Sequence, residues 1–154
     1  MVEHPQQGAG SRRAEAGEGP VVVGVDGSPE SLAALRWAAD YAGRAGAPLH
    51  AVIAWEHGTG FGFQLSGGSL PEEARRTLER AVRKVLGAAA AGGVALEVVE
   101  GRAEDVLVAA SRDARLLVVG DRGYSSVAGL LIGHCGEACV RHAACTTVVV
   151  RGGR

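Results

Sequence analysis

The chain has 154 residues, with 16 Lys and Arg against 17 Asp and Glu and a net charge of -1, which suits one compact domain with a core of its own. The two signs nearly cancel and no run of Lys or Arg stands out, so the charge pattern excludes a nucleic-acid binder and a binder of anionic membranes. Apolar stretches such as 116–119 and 146–150 fall far short of the roughly 20 residues that cross a bilayer, and aromatic residues at 4% leave little for a base-stacking platform.

Residues 1–19 are rich in Gly, Ala, Glu, Gln and Arg and lack the apolar centre of a secretory signal. They are expected to form a disordered tail, leaving 20–152 as the domain. Val21, Val22, Val23 and Val25 form a continuous apolar run, the pattern of a central strand buried on both faces of a parallel sheet. It ends at Asp26-Gly27-Ser28-Pro29, where Ser28 can cap a helix and Pro29 fits its first turn. From 29 to about 43, Leu32, Leu35, Ala39 and Ala42 recur at helical spacing, and Gly43 and Gly46 stop the helix.

Residues 49–55 read as a second strand, followed by a Gly-rich loop, 58–69, too long for a tight turn. The longest amphipathic helix is expected over 69–91, with Ala74, Leu78, Ala81, Val82, Val85 and Leu86 on one stripe, ending at Gly92-Gly93. A third strand over 94–100, a short helix over 103–111 and a fourth strand over 116–119 come next. A glycine-bearing loop, a helix over roughly 133–142 and a fifth strand over 146–150 complete the chain. Such strict alternation predicts a parallel sheet with helices on both faces.

The stretch Gly120-Asp121-Arg122-Gly123, nine further residues and Gly133 lies between a buried strand and a helix. Glycine lets backbone N–H groups approach an anion and can take positive φ, and the helix that follows offers unpaired N–H donors and a favourable dipole. Glycines that merely turn the chain are the plainer reading in a protein with 24 of them. Asp26 adds weight, because in a doubly wound sheet the ends of the first and fourth strands can face each other where the strand order reverses.

These motifs carry a resemblance. The chain from Val21 to Arg151 resembles the universal stress protein family through Val23-Gly24-Val25-Asp26-Gly27-Ser28, Val118-Val119-Gly120-Asp121-Arg122-Gly123, and Gly133 followed by Val140-Arg141-His142-Ala143. The resemblance implies a doubly wound, Rossmann-like α/β fold with a five-stranded parallel sheet in the order 3-2-1-4-5, and a pocket for ATP or another adenine nucleotide between the first and fourth strands. Asp26 would meet the ribose or adenine side and the main chain near Ala54 the base. Gly120, Arg122, Gly123 and Gly133 would surround ribose and phosphates, with Val25, Val119, His134, Cys135 and Gly136 completing the lining.

Two departures matter. Where ATP-binding members carry a Ser or Thr after the last glycine and a second hydroxyl two positions later, this chain has His134 and Gly136. A hydrogen bond to a charged group is worth about 1.5–3 kcal/mol, so the loss of two weakens triphosphate binding by something like a hundredfold or more. Two readings stay open: a nucleotide-binding stress regulator, and a partner-binding stress module that has lost the nucleotide.

Cys135, Cys139 and His142 fall at i, i+4 and i+7 with His134 beside the first, a set that a soft metal could use. Core packing is the favoured reading, and no metal is expected. Three cysteines do not make a stapling disulfide framework and fit a reducing, cytoplasmic setting. Glu104 and Asp105 oppose a helix dipole, and Trp37 and Trp55 read as packing residues. No nucleophile, base and orienting group fall together, so no catalytic site is expected. The resemblance also implies a homodimer, with Thr146–Val150 as an edge strand whose unpaired backbone pairs with a second copy.

Overall fold

Val21–Gly24 (β1) lies at the centre of the sheet because three of its four residues are valines with no more than 3% exposure, and strands stand on both of its sides. β1 pairs in parallel with Leu49–Trp55 (β2) and with Leu116–Gly120 (β4). Ala95–Glu100 (β3) and Thr146–Val150 (β5) form the edges, so the order is β3-β2-β1-β4-β5 with every pair parallel. The expected five-stranded, doubly wound order is therefore observed. The computed structural model describes residues 17–57, 70–123 and 132–152. The expectations for the tail over residues 1–16 and for the loop 58–69 lie outside them.

Pro29–Ala45 (α1) starts where Ser28, with extended φ and ψ, accepts a 3.2 Å hydrogen bond from the Ser31 N–H through its side chain. It runs two residues beyond the expected end, because Gly46, at φ 62, makes the left-handed cap and Gly43 is tolerated inside. The buried stripe is also rotated from the expected one. It consists of Ser31, Ala34, Leu35, Ala38 and Ala42, with Leu32 and Ala39 half-buried at its margin. Small residues let the helix approach the sheet closely, and Ser31 enters the interior because its hydroxyl donates to the Ser28 carbonyl oxygen at 3.0 Å.

Leu70–Ala91 (α2) buries Ala74, Leu78, Ala81 and Val82, with Val85 and Leu86 packed partly against them, so the expected stripe holds. Its regular geometry breaks earlier than the Gly92-Gly93 stop, at Gly87, whose φ of 81 no helix contains. β3 begins one residue later than expected, since the Val94 N–H donates to the Ala91 carbonyl and closes the preceding turn. Ala103–Ala110 (α3) passes into a 3-10 turn, Ser111–Asp113, and β4 gains Gly120. His134–His142 (α4) begins after Gly133, which is its cap.

Two layers of side chains result. On one face, α1 and α2 cover Val21, Val23, Ala51, Ile53, Leu116 and Val118. On the other, α3 and α4 cover a smaller set in which Val22, Val52, Leu117, Val119 and Cys139 are buried. Buried Ser111 ties this second layer together, donating to the Val108 carbonyl at 2.6 Å and accepting from the Ala144 N–H at 2.8 Å. Trp55 packs partly against the larger core, edge-on to His57. Trp37 corrects the expectation of a packing residue: it is 38% exposed and stacks on Tyr41 at the surface of α1, with 5.4 Å between ring centroids. Among the described residues, no helix is long and apolar enough to cross a membrane.

Candidate functional site

β1 and β4 are hydrogen-bonded neighbours, yet the chain leaves them toward opposite faces, α1 following β1 on one side and α4 following β4 on the other. A crevice must open beyond their C-terminal ends, where ligands of doubly wound sheets are held. The cavity found there has about 110 Å³ and is lined by Val25, Asp26, Ala54, Val119, Gly120, Arg122 and Gly123. Gly133, His134, Cys135 and Gly136 form its α4 side. All eleven residues singled out in the sequence thus meet at one hollow. Gly24, Ser31, Val52, Ala103, Leu107 and Asp121 line it as well. Asp121 stood inside the glycine motif and was readable; Val52 and Leu107 reach the hollow from the middle of β2 and from α3, and no motif marked them.

The Asp26 carboxylate is held in place by its own turn. Its Oδ1 accepts the Ser28 N–H at 2.8 Å, while its backbone N–H donates to the Ser31 hydroxyl at 3.3 Å. Its Oδ2 lies against Gly123, since a Cβ on that glycine would stand 2.6 Å away. The carboxylate at the end of β1 and the loop after β4 therefore meet directly.

The crevice glycines work by close approach and not by left-handed backbone. Gly120, Gly123, Gly133 and Gly136 all lack positive φ, in contrast to Gly27 at φ 85 in the turn after Asp26. A Cβ on Gly120 would come within 2.9 Å of the Glu30 backbone in α1, and one on Gly136 within 2.8 Å of the Ile132 side chain. Gly133 also departs from the expected anion cradle, because its N–H donates to the Asp121 carbonyl at 2.7 Å. The donors that helix geometry leaves open are those of His134, Cys135 and Gly136 in the first turn of α4. His134 lines the hollow and is exposed.

The three-ligand arrangement suggested by Cys135, Cys139 and His142 does not form. His142 is exposed at the end of α4, while Cys139 is fully buried and Cys135 half-buried in the α3–α4 layer. The interaction with Cys139, together with burial, pushes the ionisation of the Cys135 thiol far up, and the same interaction draws that of Cys139 down. Burial raises Cys145. Among the described residues, no group of three His, Cys, Asp or Glu side chains could hold a metal ion. Glu104 and Asp105 sit in the first turn of α3, as expected of residues that oppose its dipole.

Residues 19–151 match the family model described as the Universal stress protein family. A universal stress protein of Mycolicibacterium smegmatis is 33% identical over 142 residues, covering 86% of this chain and 48% of that protein. The chain thus spans about half the length of the curated relatives it matches. Among solved structures, universal stress protein UspA from Lactobacillus plantarum superposes with a TM-score of 0.67 at 22% identity, over 86% of this chain and 97% of that one. A universal stress protein in complex with cAMP superposes with a TM-score of 0.62 at 26% identity, over 89% and 99% of the two chains.

Proposed function

The chain belongs to the universal stress protein family, and from that premise we propose that it is a stress-response protein whose crevice takes ATP or another adenine nucleotide as a regulatory ligand and does no chemistry on it. The observation that carries this reading is the meeting of the Asp26 carboxylate with Gly123 opposite the first turn of α4. A carboxylate accepts from ribose hydroxyls, whereas open N–H groups at a helix N-terminus favour a phosphate. Between them, Val52, Ala54 and Leu107 offer an apolar wall for a base. The one ligand class with all three features in this order is a nucleotide. The related protein crystallised with cAMP supports the adenine base.

The described residues enclose less than the ~300 Å³ at which ordinary small-molecule sites begin, so they hold only part of such a ligand. Three free thiols suit a reducing, cytoplasmic setting. The edge strand β5 is the proposed surface for a homodimer, its outer backbone groups open to a second copy. Light scattering after size exclusion that gives only the monomer mass would remove the dimer.

Titration calorimetry on the full chain with cAMP, AMP, ADP, ATP and GTP tests the nucleotide. Binding of the adenine forms, not of GTP, and its loss in Asp26→Ala are expected; no heat from any of them at millimolar concentration overturns the reading. The partner-binding alternative rests on His134 and Gly136, where the phosphate-facing hydroxyls are missing and where Ile132 leaves no room for a side chain on Gly136.

A further inference from the structure

A ridge of positive charge runs along the outer side of α2. Arg76, Arg80, Arg83 and Lys84 are all exposed, on the side of the helix opposite its buried stripe of Ala74, Leu78, Ala81 and Val82. Chain order hides the ridge, because Thr77, Leu78, Glu79, Ala81 and Val82 are interleaved with it. On the helix, Arg76, Arg80 and Lys84 follow one another at steps of about 6 Å, with Arg83 between the last two. Arg75, on the flank, takes Glu79 at 3.8 Å, and none of the four ridge cations stands in an ion pair among the described residues.

We propose that this ridge docks an acidic segment of a partner protein, one whose Asp and Glu side chains recur about once per helical turn. Like charges at i and i+4 weaken a helix, and the chain carries two such pairs, Arg76 with Arg80 and Arg80 with Lys84, which anions from outside would relieve. The guanidinium group, present three times, takes a carboxylate through two parallel hydrogen bonds. An acidic helix repeats carboxylates at i and i+4 with the same step as the ridge, and an extended acidic segment repeats them at about 6.6 Å on one face.

Other anionic surfaces fit less well. Duplex DNA carries one charge per about 1.7 Å, a density that four cations spread over about 12 Å leave mostly unmatched, and α2 has no aromatic side chain on which a base could stack. Membrane-surface helices add large apolar side chains to their basic ones, whereas the exposed neighbours of this ridge are Glu72, Gly87 and Ala88. The rest of the chain is net acidic, so an acidic segment is repelled elsewhere and steered to this face. Pairs this exposed make the docking weak and salt-dependent. No residue of α2 lines the crevice, so the surface stands apart from the nucleotide reading.

The test is fluorescence anisotropy of fluorescein-labelled poly-L-glutamate titrated with the full chain. Saturable binding is expected at about 50 mM salt, weakening about tenfold at about 200 mM. Arg80→Glu should weaken it about tenfold, and Arg76→Glu, Arg80→Glu and Lys84→Glu together should abolish it. Arg36→Glu, Arg44→Glu and Arg112→Glu together change the net charge equally at exposed positions elsewhere, and should leave binding within about twofold. Equal loss in the two triple variants would show that total charge binds and not the ridge, and overturns the proposal. Tighter binding of a random-sequence DNA duplex or of phosphatidylglycerol vesicles than of poly-L-glutamate overturns it too, as does no binding at low salt. Circular dichroism checks the fold; if the ridge triple variant loses helix, the matching Gln variants decide, and binding retained in them overturns the proposal.

Discussion

The two faces of the sheet are packed differently. On the face covered by α1 and α2, helices of 17 and 22 residues bury Leu35, Ile53 and Leu78 completely. On the face covered by α3 and α4, helices of 8 and 9 residues bury fewer side chains, with Cys139 buried and Cys135 half-buried among them, and the crevice opens beside them. Packing density gives stability and a gap gives binding. Placing them on opposite faces of one sheet lets each be changed with little effect on the other.

The largest effect should come from Leu35→Ala. Removing this fully buried side chain is expected to lower unfolding free energy by about 2–5 kcal/mol, read by urea denaturation, while nucleotide affinity of the remaining folded protein stays as it was. A matching loss of affinity would break the division. Asp26→Ala is expected to do the reverse: nucleotide binding drops beyond tenfold in calorimetry, with only about 1 kcal/mol of stability lost with the acceptor of the Ser28 N–H.

His134→Ser tests the crevice alone. The position is exposed, so stability should hold, while a hydroxyl donor beside the phosphates should tighten ATP by about tenfold; unchanged affinity favours the partner-binding alternative. Ser28→Ala removes the cap of α1 and should cost about 1 kcal/mol, with the helix-facing wall of the crevice intact.

The smallest effect is on pH dependence. Burial raises the Cys145 thiol, so its contribution is full below the ordinary thiol pKa of about 8.5 and is lost as pH rises through the folded value. Cys135 acts in the same direction, and Cys139, drawn down by its partner, in the opposite one. Cys145→Ala should therefore lose less stability than the parent protein between about pH 8 and about pH 10, and an identical slope would show that the thiol does not feel its burial.

Element order, the Ser28 cap, the buried β1 and the glycine motif after β4 were legible in the sequence, because each depends on side-chain periodicity or turn chemistry within a few neighbours. The alternation of strands and helices implied a parallel sheet, and the order β3-β2-β1-β4-β5 followed from a resemblance. The rest depended on contacts between distant segments. Which stripe of α1 is buried was set by where the sheet lies under it, so Ser31 took an interior place and Trp37 an outer one. The crevice glycines owe their role to Glu30, Asp26 and Ile132 pressing against them rather than to their own torsions. Val52 and Leu107 became lining residues only because β2 and α3 close the hollow. Local periodicity specifies what a segment is; only the packed sheet specifies what it touches.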